Sequence, residues 1–354
     1  MRIAISTLPL TTGHKDRGIG TYTRELVETL KRHTSRHQFV FFSKESEIPK
    51  NADVVHYPFF DPFFLTLPVF RGKPTVVTVH DLIPLVFPKH FPRGIRGEVK
   101  WQVQRKNLAG VTHVITDSEC SKRDIVRLVG LEEAKITVVP LAPPASMTPM
   151  RDPATLAATM EKYALPNHFA MYVGDINWNK NISGLLHAWQ RVTARRFLPK
   201  DAKLILVGKA FIEPGLSEAL AIEETIHRLR IEDSVERIGY IPREDLRALY
   251  MLSHVCVFPS YYEGFGLPIL EAMACGGVVV SSTAASLAEV AGPAITVNPE
   301  SATDIADGIL KACRLPTQQR EDMVDKGITW AKRFTWAQVA KRTISVYESL
   351  AKPV

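Results

Sequence analysis

Two series of six short, almost wholly apolar runs organise this chain. "RIAIST", "HQFVFFS", "DVVHYP", "PTVVTVHD", "THVITDS" and "KITVVPL" come first; "FAMYVGD", "KLILVGK", "SVERIGY", "VCVFPS", "GVVVSS" and "AITVN" follow. Each has the length and β-rich composition of a strand. Between several of them lie stretches with apolar residues at helical spacing, such as "GIGTYTRELVETLKRH". A strand that is apolar on both faces must be covered on both, which means a parallel sheet with helices above and below it. Two such series predict an α/β protein made of two Rossmann-like, doubly wound domains. The break is expected in "PLAPPASMTPMRDPA", residues 140–154, which is rich in proline and carries no periodic element. The expected layout is a first domain over 1–150, a second over 151–330, and a closing helix within 331–354. That helix reads from "RFTWAQVAKRTISVYESLAK" as amphipathic, and in two-domain folds of this kind it can cross back to the first domain.

At 354 residues the chain is long enough for two cores, and 45% hydrophobic with 23% charged residues excludes wholesale disorder. Cys120, Cys256, Cys275 and Cys313 form no C-x-x-C pair, and most sit in apolar surroundings; buried free thiols of a reducing compartment are expected. The first residues read as a strand rather than a leader, and no run of about 18 apolar residues is present to span a bilayer. A cytoplasmic protein is the expectation. The formal charge of +7 is unevenly placed: residues 1–150 hold 21 Lys+Arg against 14 Asp+Glu, whereas residues 151–354 hold 23 of each. Much of the surplus lies in residues 89–106, "KHFPRGIRGEVKWQVQRK", where six basic residues meet only Glu98. Nucleic acid, an anionic membrane, a phosphate-bearing substrate or a plain solvated helix face would each fit such a half.

The ends of parallel strands are where doubly wound folds bind ligands. The most specific of these ends is "YYEGFGLPILEAMACGG", residues 261–277. After a strand, Glu263-Gly264-Phe265-Gly266 turns into a helix, with Pro268 in its first turn, where a missing N–H costs nothing. Glycines let backbone N–H groups approach a ligand, and a helix start attracts anionic oxygens. Glu263 outside the helix and Glu271 inside it can accept hydrogen bonds from hydroxyls of a sugar and of a ribose. Other strand ends carry weaker signals. Gly18-Ile19-Gly20 is a glycine loop able to approach a phosphate, or a helix cap. His80 can donate a hydrogen bond or move a proton, or be structural. Lys180 and Lys209 follow two strands and can neutralise a diphosphate, or be ordinary surface lysines.

"FPSYYEGFGLPILEAMACGGVVV" closely resembles the motif of the family-4 retaining glycosyltransferases of the mannosyltransferase-like group 1 type, whose two glutamates enclose seven residues. "RIGYIPREDLRALYMLSHVCVFPS", "VTVHDLIPL", "ITDSECSKRDI" and "SLAEVAG" are similar to the same family, so the likeness covers nearly the whole chain. It implies the GT-B fold, two Rossmann-like domains facing a central cleft. It also implies transfer of a sugar, with mannose favoured, from GDP-mannose or a UDP-sugar, with retention at the anomeric carbon and neither cofactor nor essential metal. Carried over by position, Glu263 would contact the donor sugar, His80 would lie near it, and Lys180 would bind phosphate with Lys209 as a second cation. Gly264, Phe265, Gly266 and Leu267 would meet sugar and phosphates through backbone N–H groups, and Glu271 would hold the ribose. Tyr240 and Ile241 would lie beside the base, and Gly18 and Gly20 would close over diphosphate or acceptor. The chain departs from its relatives at Asp175 and Asn179, where an arginine is often found, and in "ACGGVVV", which lacks the usual threonine-proline.

The implied reaction places negative charge on the leaving diphosphate, which Lys180, Lys209 and the helix start would stabilise. A GT-B nucleotide-sugar epimerase and a nucleotide-sugar-binding protein without catalysis are the alternatives. Nucleic acid is not expected as a partner, because no stacking aromatics alternate with the basic residues. The acceptor side of GT-B enzymes is largely the first domain. Its "HYPFFDPFFLTLPVF", residues 56–70, joins the basic surplus in one of two readings: contact with an anionic membrane bearing a lipid-linked or glycan acceptor, or interdomain core.

Overall fold

A computed structural model describes residues 1–13, 18–32, 36–69, 71–150 and 152–350. The chain divides into two compact units, one of Met1–Ala142 with Thr335–Val354 and one of Pro143–Phe334. In the first unit, β1 (Arg2–Ser6), β2 (Gln38–Phe42), β3 (Val54–Tyr57), β4 (Thr75–Val79), β5 (His113–Thr116) and β6 (Ile136–Val138) form one parallel sheet in the order β2-β1-β3-β4-β5-β6. In the second, β7 (Phe169–Val173), β8 (Lys203–Val207), β9 (Val235–Ile238), β10 (Val255–Phe258), β11 (Val279–Ser282) and β12 (Ile295–Val297) form another, in the order β12-β11-β10-β7-β8-β9. Every strand falls within one of the twelve apolar runs. The interior strands β3, β4 and β10 are buried at every residue, as a sheet covered on both faces requires. β2, at a sheet edge, is only partly buried.

Strand order reverses direction beside β1 in the first sheet and beside β7 in the second. β7 has its successor β8 on one side and the later β10 on the other, so the connections after β7 and β10 leave a crevice at their carboxyl ends.

The closing helix, Trp336–Ser349, belongs to the first unit and packs on the helix Gly18–Arg32. Its Tyr347 hydroxyl is hydrogen-bonded to His56 Nδ1 on β3 at 2.7 Å. His56 Nε2 in turn meets Thr78 Oγ1 at 2.9 Å, and Tyr22 of the first helix reaches the same hydroxyl at 3.0 Å. Burial pushes His56 down to about 3, so the ring is neutral and serves as one donor and one acceptor. This polar chain fixes how the last helix sits on the first core.

One sequence reading needs correction. Gly18 and Gly20 both lie within the helix Gly18–Arg32 and not in a loop ahead of it. Gly20 is buried and Gly18 open to solvent. A helix start leaves its first N–H groups unpaired anyway, so glycines there cost little. Residues 14–17, which precede them, lie outside the described residues, as does Phe70 of the aromatic stretch.

Candidate active site

The site of the second unit is assembled at the carboxyl ends of four adjacent strands, β10, β7, β8 and β9. After β7 the chain makes a single turn, Trp178–Lys180, and enters the helix Ile182–Ala194 through Asn181. Asn181 sits in the left-handed region at φ 58°, a conformation that asparagine tolerates better than most residues. Its Oδ1 accepts from Gly184 N at 3.1 Å and so caps the helix. Its Nδ2 donates to Pro259 O at 3.0 Å and Pro299 O at 2.7 Å. Asn179, equally buried, donates through Nδ2 to Tyr262 O at 2.8 Å, while its own carbonyl accepts from Tyr261 N at 2.8 Å. These two asparagines latch the β7 loop onto the β10 loop.

Lys180 stands between them. Its Nζ donates to both carboxylate oxygens of Glu263, at 2.7 and 2.6 Å. Ser260 Oγ donates to Glu263 Oε1 at 2.8 Å, and Ser286 Oγ anchors the Glu263 backbone carbonyl at 2.7 Å. Both charged side chains are mostly buried, 20% exposed for Lys180 and 14% for Glu263. The Tyr172 hydroxyl is pushed well above its usual range by burial, reinforced by the charges of Glu263 and Asp175, and donates to Asp175 O at 2.7 Å. Asn179 carries no charge and serves in this loop as a structural amide. Lys180 is therefore the charged group of this loop that faces Glu263.

Beyond Glu263 the chain turns through Gly264 and Phe265 to Gly266, at φ 104°. A Cβ on Gly266 would lie 2.6 Å from Leu287 Cδ2, so the position admits glycine alone on two counts. The Phe265 ring is buried and meets Phe334 edge-on at 6.1 Å, which leaves its backbone as the part available to a ligand. The helix Leu267–Ala274 then begins with no side-chain cap and Pro268 in its first turn. An uncapped helix start favours anionic oxygens. Glu271, one turn in, accepts from the Tyr250 hydroxyl at 3.4 Å.

Close approach of backbones brings β8 alongside. A Cβ on Gly208 would lie 2.2 Å from Gly174 O, so glycine there lets the two strand ends touch. Lys209 follows, exposed and in no ion pair among the described residues. After β9 come Tyr240, 62% exposed, and Ile241, whose side chain is in the core.

His80, Gly18 and Gly20 belong to the first unit. His80 follows β4, and its Nδ1 faces Asp117 Oδ2 at 2.7 Å while Nε2 faces Pro58 O at 3.3 Å. Tyr22 packs edge-on to the ring at 4.6 Å. Burial alone would discharge the imidazole, but the Asp117 carboxylate, with help from Asp81, outweighs it and holds His80 above its ordinary value. Both ring nitrogens face acceptors, so the protonated ring is the form that satisfies them.

Asn181, Ser260, Ser286 and Asp117 escaped sequence reasoning. Asn181 could have been suspected, since an asparagine directly before an apolar-periodic stretch is a helix-start signal. Nothing in the spacing of the others marks them. Among the described residues no group of three or more His, Cys, Asp or Glu side chains is placed to hold a metal ion.

Two six-stranded parallel sheets flanked by helices, with polar residues gathered at strand carboxyl ends, define the GT-B architecture. A sucrose-phosphate synthase from Thermosynechococcus elongatus superimposes with a TM-score of 0.76 at 21% identity, covering 99% of each chain. Anabaena HepE, solved in complex with UDP-glucose, gives 0.74 at 17% identity, covering 99% of this chain and all of the other. The family model for Glycosyl transferases group 1 matches residues 160–330, and that for Glycosyltransferase Family 4 matches residues 45–142. The O-antigen chain mannosyltransferase B of Escherichia coli is 33% identical over 286 residues, which cover 79% of this chain and 71% of that protein. The chain belongs to glycosyltransferase family 4, and it is a glycosyltransferase.

Proposed function

We propose that this enzyme moves mannose, with retention at the anomeric carbon and without a metal, from a nucleoside diphosphate sugar to a glycan or lipid-linked acceptor of cell-surface polysaccharide. GDP-mannose is the favoured donor, with a UDP-sugar second. The observation that carries the proposal is the pairing of Lys180 with Glu263 beside the uncapped helix at Leu267. The Glu263 carboxylate accepts three hydrogen bonds, two from Lys180 and one from Ser260, and keeps lone-pair directions for sugar hydroxyls. Lys180 is positioned to share its charge between that carboxylate and a diphosphate oxygen. Lys209 and the N–H groups around Gly266 and Leu267 supply the remaining positive potential, and Glu271 accepts from the ribose.

As the bond from the anomeric carbon to the phosphate oxygen breaks, negative charge grows on the diphosphate. Donors fixed in advance stabilise that charge without having to reorganise. The acceptor hydroxyl attacks the same face and passes its proton to the leaving phosphate oxygen. Mannosyl transfer by the relative at 33% identity favours mannose, and the complex of HepE with UDP-glucose supports nucleotide-sugar binding on this fold.

The test combines binding with turnover. GDP should raise the melting temperature of the wild-type protein, since a ligand that binds only the folded form stabilises it. Glu263→Gln should keep a raised melting temperature with GDP yet lose transfer by roughly two to three orders of magnitude. Transfer by Glu263→Gln at the wild-type rate would refute the assignment. A new nucleotide sugar formed without any acceptor would instead identify an epimerase.

A further inference from the structure

On the first unit, the helix Gly94–Ala109 turns an apolar stripe toward solvent. Its inner face is ordinary: Trp101, Gln104 and Leu108 are buried. Its outer face carries Ile95, Val99 and Val103, at spacings of four, and Ile95 is 86% exposed. Helices of soluble proteins place charge there. Beside the stripe the loop after β3 presents Phe64 and Leu65, 63% and 66% exposed. That loop is fastened to the helix from below: Gln104 Nε2 donates to Phe64 O at 2.6 Å and Asn107 Nδ2 to Leu67 O at 3.3 Å. This surface holds five of the twelve large apolar side chains exposed among the described residues. They form a cluster, and scattered exposure would not require explanation.

Charge decides what the cluster fits. Helical spacing puts Arg96 and Lys100 in the seam between stripe and loop, with the Lys100 ammonium 5.1 Å from the centre of the Phe64 ring. Lys106 lies in line with the stripe. The one carboxylate of the helix, Glu98, falls on the opposite flank, paired with Arg93 at 2.6 Å. A second copy of this chain would set cations against cations. Apolar side chains ringed by lysine and arginine match the boundary of a bilayer, where acyl chains begin below anionic headgroups.

We propose that Phe64, Leu65, Ile95, Val99 and Val103, with Arg96, Lys100 and Lys106, dock the protein on an anionic lipid surface without spanning it. No described helix is long and apolar enough to cross a membrane. The inference stands on the first unit alone and survives even if the sugar-transfer reading fails.

Flotation of the full-length protein with vesicles of phosphatidylcholine, with or without phosphatidylglycerol, tests it. Co-flotation is expected at low salt only when phosphatidylglycerol is present. Arg96→Gln with Lys100→Gln and Lys106→Gln should weaken binding by roughly fivefold per cation, on the order of a hundredfold together. Ile95→Ser with Val99→Ser should also abolish co-flotation while circular dichroism and the GDP-dependent melting shift stay unchanged, because these two side chains are 86% and 60% exposed. Failure of the wild type to float, equal flotation on neutral vesicles, or undiminished binding by the serine variant would each overturn the proposal. A protein that binds duplex DNA more tightly than these vesicles would also overturn it.

Discussion

A buried charge is tolerated only with its partners in place, and His80 shows how one residue changes the sign of a titration. With Asp117 at 2.7 Å, the folded His80 has a pKa above its ordinary 6.5. The contribution of His80 is therefore fully present below that value and is lost as pH rises through the folded pKa. In Asp117→Asn the carboxylate is gone and burial is opposed only by the smaller effects of Asp81 and the Pro58 carbonyl, so the pKa should fall below the wild-type value. An NMR titration of the His80 ring proton should show that downward displacement. Urea midpoints measured across the same range should show the loss on the alkaline side of the wild type shrinking in the variant. Asn181 makes a different residue-scale argument. It holds a left-handed backbone, a helix cap and two carbonyls at once. Asn181→Ala should cost about 2–4 kcal/mol in chemical denaturation, because a cap is worth about 1 kcal/mol and a buried acceptor stripped of its donor costs about 1–3. The placement of Lys180 and Glu263 after strands and of Glu271 inside a helix was legible in the sequence, because apolar runs and a glycine turn mark those element ends. The asparagine latch and Asp117 were not, because their partners lie 78 to 118 residues and 37 residues away and no local pattern records the pairing.

At the scale of elements, the helix Leu267–Ala274 is aimed by the turn that precedes it. Gly266 combines φ 104° with a side-chain wall of Leu287 and Val290, where an added Cβ would lie 2.6 and 3.1 Å from the nearest atoms. Gly266→Ala must therefore shift either the helix start or the Leu287–Val290 segment. Strained backbone of this kind costs on the order of 1–3 kcal/mol, and the overlap adds to it. The variant should melt lower than the wild type. It should also lose most of the GDP-dependent melting shift, whereas Asn181→Ala, which leaves Gly266 untouched, should keep more of it. All twelve strands were readable because each is a short apolar run with no helical period. The glycines at 18 and 20 were misplaced by one turn for a physical reason: the first turn of a helix and the loop before it make similar demands, since neither pairs its N–H groups. The solvent-facing stripe of the helix Gly94–Ala109 was hidden for the opposite reason. Apolar residues on both faces blur the period that would have separated inside from outside.

For the whole molecule the telling quantity is how charge divides. Counted by unit, Met1–Ala142 with Thr335–Val354 carries 24 Lys+Arg against 15 Asp+Glu, while Pro143–Phe334 carries 20 against 22. The halves of the sequence understate this contrast, because the closing helix adds its basic residues to a unit far from it in the chain. A surplus of nine on one unit makes a long-range field that attracts an extended anionic surface, and such a field is screened over about 10 Å at 0.1 M salt. On the proposed function, a nucleoside diphosphate would instead be recognised by contact-range groups of the second unit, Lys180, Lys209 and the helix start at Leu267, and interactions at contact range are screened less than a long-range field. The two anionic ligands should therefore respond differently to one variable. Raising sodium chloride from low to physiological concentration should release the protein from phosphatidylglycerol vesicles steeply, while the dissociation constant for GDP by calorimetry rises far more gently. Parallel slopes for both would mean that the nucleotide is held by the general field of a basic protein, and the contact groups of the second unit would lose their assigned role.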